Sequence, residues 1–186
     1  MSATMQREVA KRVFAGEFGD ARHEFRESDD DRAPGYLLLP SGDKANRVFV
    51  VGTLTEKEDR GDEDEYWRAR VVDPTGTFLV YAGQYQPEAV ESLRGIEPPA
   101  YVAVVGKPNT WEPEDGDGDV ITSIRPESIN EVDAETRDRW VVETAERTLE
   151  RLDAPPLREM VEEIHGGLDE DRYRDMVIEA LETVEE

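Results

Sequence analysis

The chain has 186 residues, of which 37% are hydrophobic and 36% charged, so it can hold one domain with an appendage. Its 45 Asp and Glu against 22 Lys and Arg give a formal net charge of −23 at pH 7. The sequence contains no cysteine, which excludes disulfides, thiolate metal sites and a cysteine nucleophile.

The acidity is spread over the whole chain, and Lys is scarce compared with Arg. This composition is typical of proteins from salt-loving microbes. Because molar salt shortens the Debye length to about 3 Å, the net charge does not by itself exclude an anionic partner. No apolar run is long enough for a membrane span, and Glu8 and Glu17 stand where a signal peptide needs an uncharged core. We therefore expect a cytoplasmic protein that does not enter membranes.

The first segment, residues 1–45, predicts one helix and one extended piece. Apolar residues recur at helical spacing from Met5 to Phe14, and Gly16 follows as a stop signal, so a helix is expected over residues 2–15. The apolar run Tyr36–Leu39 before Pro40 predicts an extended piece that packs on the next domain.

The central segment, residues 46–131, predicts five strands with one helix between the third and the fourth. Gly52 permits a bend in the first strand, and Pro87 and Gly95 bracket the helix. The predicted strands are Arg47–Lys57, Tyr66–Val72, Thr77–Ala82, Tyr101–Lys107 and Val120–Arg125. This order is that of the oligonucleotide-binding (OB) fold, a small five-stranded β-barrel. The fold class is therefore a mainly β barrel with an N-terminal helix and C-terminal helices.

Period-two alternation on these strands leaves cations and aromatic rings on the side away from the core. Single-stranded nucleic acid is bound by such surfaces, because bases stack on flat rings and guanidinium groups meet phosphates. Trp67 alternates with the core residues and is expected in the core. The predicted nucleic-acid-binding residues are Tyr66, Arg68, Arg70, Tyr81, Tyr85, Lys107, Trp111 and Arg125. The alternative is that these residues are ordinary half-buried barrel side chains.

Catalytic and metal-binding patterns are weak. The only histidines, His23 and His165, lie far apart in the sequence, and no phosphate-binding glycine loop or nucleophile elbow is present. Asp115, Asp117 and Asp119 resemble the start of a calcium loop, but the glycine and glutamate needed later are missing. We expect neither an enzyme nor a metal site nor a cofactor.

The last segment, residues 132–186, predicts helices. Asp133 is a suitable N-cap for a helix that ends near Leu152, and Pro155 and Pro156 stop it. Two shorter helices are expected over Leu157–His165 and Asp169–Val184. Their apolar faces fit either a bundle on the barrel or contacts with another chain, and periodicity does not distinguish the two.

Several stretches resemble the replication protein A-associated proteins of halophilic archaea. They are Arg7–Phe14, Tyr36–Pro40, Ala45–Glu56, Tyr66–Gly76 and Tyr101–Pro108. The resemblance covers most of residues 1–152 and implies a non-catalytic OB-fold accessory subunit of a larger replication protein A, acting on single-stranded DNA in replication and repair. It also implies that the helix after the barrel takes part in hetero-oligomer assembly, through Trp140, Val141, Leu149 and Leu152.

Two alternatives stay open at this point. One is a protein-assembly module whose groove is filled by its own N-terminal or Leu37–Leu39 segment and does not contact DNA. The other is an RNA-binding OB protein, because barrels of this kind bind many ligands.

Overall fold

The computed structural model describes residues 9–113 and 119–184. The strands and helices follow one another as β1 Lys11–Arg12, α1 Ala15–Asp20, β2 Glu24–Arg26, β3 Gly35–Leu39, β4 Asp43–Ala45, β5 Val48–Asp59, β6 Trp67–Asp73, β7 Gly76–Ala82, α2 Pro87–Gly95, β8 Ala100–Trp111, β9 Ile121–Glu131, α3 Ala134–Asp153, α4 Arg158–His165 and α5 Glu170–Leu181.

Strands β5 to β9 form a closed barrel in the order β5-β6-β7-β9-β8, with β8 pairing back onto β5. The β7–β9 pair is parallel, and the other barrel pairs are antiparallel. Helix α2 lies between β7 and β8 in the chain, with the predicted bounds. The five-stranded barrel predicted from the sequence is confirmed, as are the C-terminal helices.

Gly52 lies where β5 passes from one neighbour to the other, since β8 pairs with its first half and β6 with its second. A Cβ atom at this position would lie 2.6 Å from the carbonyl oxygen of Val72. Glycine is therefore needed for the two strands to approach, as the sequence indicated.

A short N-terminal helix is present as predicted, but it lies at Ala15–Asp20 and not within the predicted bounds, residues 2–15. Residues 9–14 are not helical, and Lys11–Arg12 pairs in parallel with β5 instead. Helix α1 contains Gly16, which the sequence indicated as a helix stop. Tertiary contacts override propensity here: the Asp73 carboxylate accepts a hydrogen bond from the Ala15 N–H at 2.7 Å.

A second, three-stranded sheet is formed by β2, β3 and β4. The predicted extended piece is its central strand, β3, whose Leu37, Leu38 and Leu39 are fully buried. Leu37 and Leu39 belong to the same hydrophobic core as the barrel residues. The β2–β4 sheet is therefore attached to the barrel through its apolar side chains.

Helix α3 packs directly on the barrel. Its Trp140 is 1% exposed, donates its indole N–H to the Phe49 carbonyl at 2.9 Å, and meets the Phe14 ring edge-on at 5.5 Å. Val141 and Leu152 are also buried, and Leu149 packs against the same core. The partner role predicted for these side chains is thus corrected: the chain's own barrel and N-terminal segment cover them, because the helix folds back onto the barrel.

A buried ion pair joins α3 to the N-terminal segment. Arg151, 7% exposed, donates to the fully buried Glu17 carboxylate at 2.9 Å and to the Ser41 hydroxyl at 2.8 Å. The second Glu17 oxygen accepts the Ser41 N–H at 2.7 Å. One core therefore includes residues from all three segments of the chain.

Among the described helices, none is long and apolar enough to cross a membrane.

Candidate nucleic-acid interface

Most residues predicted for the groove lie on one outer face of β6, β7, β9 and β8. Partners across a strand pair share one side of a sheet. Arg68 faces Tyr81, Leu79 faces Ser123, and Ser123 faces Asn109. By the same register the outer face carries Arg68, Arg70, Tyr81, Lys107, Trp111 and Arg125.

Three aromatic side chains on this face form a continuous group, here called the aromatic row. Tyr66 and Tyr81 stack with ring centroids 5.9 Å apart and an interplanar angle of 24°. Tyr81 then meets Trp111 edge-on, at 6.2 Å. Tyr66 is 47% and Trp111 38% exposed. The row therefore offers aromatic surface to a ligand, next to the two loops that flank the binding face of an OB barrel.

The loop before β6 holds Tyr66 in place. The Asp59 carboxylate accepts the N–H groups of Gly61 at 3.0 Å and of Tyr66 at 3.1 Å. The Tyr66 ring lies on the backbone of Gly83, where a Cβ atom would come within 3.0 Å of it. Gly83 is therefore part of the site, and the sequence alone gave no sign of this role.

Glu65 anchors the same loop from its other side. Its carboxylate accepts the Trp67 indole N–H at 2.8 Å and the Arg94 Nε–H at 2.8 Å. These hydrogen bonds, from Arg94 first and Trp67 second, lower the pKa of Glu65 to about 2. Trp67 is half-buried and packs against the core. The Lys57 Nζ atom lies over its ring, 5.5 Å from the ring centroid. Trp67 thus packs at the margin of the core, whereas the sequence predicted a core position.

The two arginines of β6 differ in their surroundings. Arg70 forms an ion pair with Glu56 at 3.4 Å. Arg68 faces Glu58 in the register but forms no ion pair among the described residues. Arg68 is therefore the β6 cation that is more readily available to a phosphate.

Tyr85, Lys107 and Arg125 line a neighbouring groove and are not part of the aromatic row. Tyr85 is 84% exposed. The groove lies between the β2–β4 sheet and β8–β9, so Arg26 and Arg32 also line it. No site residue was predicted in their segment, which lies between the predicted helix and the Tyr36–Leu39 run.

No cluster of three or more His, Asp or Glu suited to a metal ion occurs among the described residues. Of the calcium-like run, Asp115 and Asp117 lie outside the described residues, and Asp119 is exposed. His165 is half-buried, and burial lowers its pKa, with a smaller effect from the nearby His23.

No protein-family model matches the sequence, and no curated protein matches it either. Among solved structures, one chain of a replication protein A heterotrimer bound to ssDNA aligns with a TM-score of 0.55 and 15% identity, over 77% of this chain and 98% of that chain. The barrel is an OB fold. At this identity the likeness establishes the shared fold and nothing finer.

One bacterial and one mitochondrial structure align with about half of this chain. The second single-stranded DNA-binding protein of Mycobacterium smegmatis gives a TM-score of 0.39 and 18% identity, over 47% of this chain and 86% of that one. A mitochondrial single-stranded DNA-binding protein of S. cerevisiae gives a TM-score of 0.37 and 19% identity, over 47% of this chain and 92% of that one.

Proposed function

We propose that this OB-fold chain binds single-stranded DNA without catalysing a reaction, as an accessory subunit of a replication protein A complex in replication and repair. The observation that carries the DNA part is the aromatic row Tyr66–Tyr81–Trp111 on the outer face of the barrel, in which Tyr66 and Trp111 are exposed.

Stacking on this row supplies the main part of the affinity in this proposal. Base–aromatic stacking is worth about 1–3 kcal/mol per base and does not depend on base identity, because every base has a flat face. The chain carries a net charge of −23, so its overall charge provides no long-range attraction for a polyanion. Contacts at short range must therefore dominate, and Arg68 at the edge of the row is the cation best placed to add a phosphate contact.

The subunit role is supported by the solved structure with the highest TM-score quoted above, a chain of a heterotrimer bound to ssDNA. Contact with a larger subunit would use surface other than Trp140, Val141 and Leu152, which are buried. Val142 on α3 and Ile178 on α5 are 37% and 55% exposed, and they are the apolar side chains that we propose for this contact.

The described residues give no support to one form of the assembly-only alternative, in which the Leu37–Leu39 segment fills the groove. Leu37–Leu39 is buried in the β2–β4 sheet and does not cover the aromatic row, whose Tyr66 and Trp111 remain exposed. The Leu37–Leu39 segment therefore leaves the aromatic row open.

The test is a titration of fluorescein-labelled deoxythymidine and uridine oligonucleotides in molar KCl, followed by anisotropy. The isolated chain and the chain with its larger subunit are measured in parallel. We expect saturable DNA binding at micromolar protein. Absence of binding in both states would refute the DNA function, and tighter binding of the uridine oligonucleotide would favour the RNA alternative.

A further inference from the structure

The groove beside the aromatic row gathers positive charge in an otherwise acidic protein. Its volume is about 1650 Å³, and it is lined by Arg26, Arg32, Arg47, Lys107 and Arg125. Only Glu24, Glu88 and Glu127 oppose them in the lining. The groove thus has more cations than carboxylates, whereas the whole chain has 22 against 45. We call it the cationic groove.

Two of its cations face each other directly. Lys107 on β8 and Arg125 on β9 are cross-strand partners, and both are exposed. Like charges in this arrangement destabilise a strand pair. Neither side chain has a carboxylate partner among the ion pairs of the described residues, although carboxylates are abundant in this chain. Such an uncompensated pair is expected where an anionic ligand supplies the missing charge.

The β2–β4 sheet forms the opposite wall and adds cations to it. Arg26 donates to the Asp31 carbonyl oxygen at 3.2 Å, and it forms no ion pair with a carboxylate in the part of the chain that the structure describes. Arg32 is exposed on the loop that follows β2. Glu24 fixes this wall against the barrel, because its carboxylate accepts the Thr110 N–H at 3.1 Å.

The groove is continuous with the aromatic row along β8. Lys107, Asn109 and Trp111 share one face of the strand, and Lys107 lies about 13 Å from Trp111 at the usual rise of a β-strand. Tyr85 adds an exposed ring at the rim, just before the start of α2.

We propose that the cationic groove is a second subsite for the phosphate backbone of single-stranded nucleic acid, with Arg26 and Arg32 of the β2–β4 sheet as its outer wall. This inference rests on the proposed function: a strand stacked on the aromatic row continues past Asn109 and places its phosphates between Lys107–Arg125 and Arg26–Arg32. The β2–β4 sheet thereby lengthens the stretch of nucleic acid that one barrel covers.

The test compares oligonucleotides of about 5 and about 20 nucleotides, lengths that bracket the usual site size of one OB fold. The double variant R26E/R32E is titrated beside the wild type, in the lowest KCl concentration at which circular dichroism shows both to be folded. We expect R26E/R32E to weaken binding of the long oligonucleotide about tenfold or more and to leave the short one unchanged.

The matched control is R139E/R147E, which makes the same change in net charge at two exposed positions of α3 away from the groove. It should bind both lengths as the wild type does. Equal losses in the two double variants would overturn the subsite, because the effect would then follow net charge alone.

The remaining outcomes separate the two proposals. If the wild type binds both lengths with equal affinity and R26E/R32E changes neither, the subsite is wrong and the aromatic row stands. If neither length binds, the proposed function fails first. A polyglutamate peptide is titrated as a second probe. If it binds the wild type but not R26E/R32E, and both proteins bind DNA equally, the groove takes an acidic protein segment. That result would overturn the proposal.

Discussion

Tyr81 is the residue on which the aromatic row depends, because it contacts both Tyr66 and Trp111. Tyr81→Ala should weaken binding of a short deoxythymidine oligonucleotide by about 5- to 150-fold, the equivalent of one lost stacking contact of about 1–3 kcal/mol. Tyr81→Phe keeps the ring and should bind as the wild type does. Anisotropy titration measures both.

The control for this substitution is Tyr101→Ala. Tyr101 is a 37% exposed tyrosine at the start of β8, whereas Trp111 lies at the end of the same strand. It should leave DNA affinity unchanged. A Tyr81→Ala protein that is folded and binds with wild-type affinity would show that the row does not contact the bases.

The ionisation of Glu65 reports on the loop that holds Tyr66. Its pKa of about 2 lies below the ordinary 4.5, so the ionised carboxylate is favoured in the folded protein. The contribution of the ionised Glu65 to the stability of the folded protein is therefore fully present above pH 4.5 and is lost as the pH falls through about 2. Since Arg94 is the largest cause, Arg94→Ala should raise the pKa of Glu65 towards 4.5, as followed by carboxyl ¹³C NMR.

Arg147→Ala, which removes the exposed partner of Glu150, should leave the titration of Glu65 unchanged. If Glu65 titrates at the same pH with and without Arg94, the ion pair does not hold the loop.

Helix α3 stabilises the chain through its buried face. Trp140→Ala removes a side chain that fills the space between α3, β5 and Phe14, and it should lower the free energy of unfolding by about 3–5 kcal/mol. Val142→Ala, at an exposed position on the same helix, should change it by less than about 0.5 kcal/mol. Urea denaturation at fixed salt measures both, and a Trp140→Ala protein as stable as the wild type would contradict the packing.

The Glu17–Arg151 pair ties α1, α3 and the turn before β4 together. Arg151→Met leaves the fully buried Glu17 charge uncompensated, so the free energy of unfolding should fall by about 3–5 kcal/mol. The double variant E17L/R151M removes both charges and should recover part of this loss. Arg158→Met, in an exposed ion pair with Glu162, is the control and should cost less than about 1 kcal/mol.

The outcome for this pair is also measured by urea denaturation. An E17L/R151M protein that is less stable than R151M would show that the hydrogen bonds to Ser41 and not the charges matter.

Elements with strong local signals were predictable from the sequence. Helix α2 matches its prediction because Pro87 and Gly95 mark its ends, and the barrel strands follow their apolar runs. The helix predicted over residues 9–14 is absent because pairing with β5 decides their conformation, although their apolar spacing fits a helix. Helix α1 has no capping side chain of its own and depends on Asp73 and Thr75, which lie about sixty residues away.

The site was predictable in part for the same reason. Alternation identified Arg68 and Tyr81, because their facing depends on strand period alone. Arg26 and Arg32 were missed, since their approach to Lys107 depends on how the β2–β4 sheet packs on the barrel. The buried positions of Trp140 and Val141 were also beyond the sequence, because an apolar helix face does not tell which chain covers it.

At the scale of the whole molecule, the net charge of −23 sets how binding responds to salt. Few cations are available near the row, namely Arg68, Lys107 and Arg125, and each phosphate neutralised on a single strand contributes about −0.7 to the slope of log K against log salt. The slope for a short oligonucleotide should therefore be no steeper than about −2. Anisotropy titrations over the KCl range in which the protein is folded measure it.

Tyr81→Phe should leave that slope unchanged, whereas Arg68→Gln should make it shallower. A wild-type slope much steeper than about −2 would indicate a phosphate-dominated interface and would contradict the stacking argument.

Strand β1 has a consequence for how this molecule meets other chains. It pairs with Val48 and Phe49 of β5, before the point at which β6 begins to pair, and the Lys11 N–H donates to the Arg47 carbonyl at 2.8 Å. Bare backbone along that stretch would be a template on which a foreign strand could grow. Strand β1 covers this stretch with the chain's own residues, so a foreign strand cannot add to β5 at Val48 and Phe49.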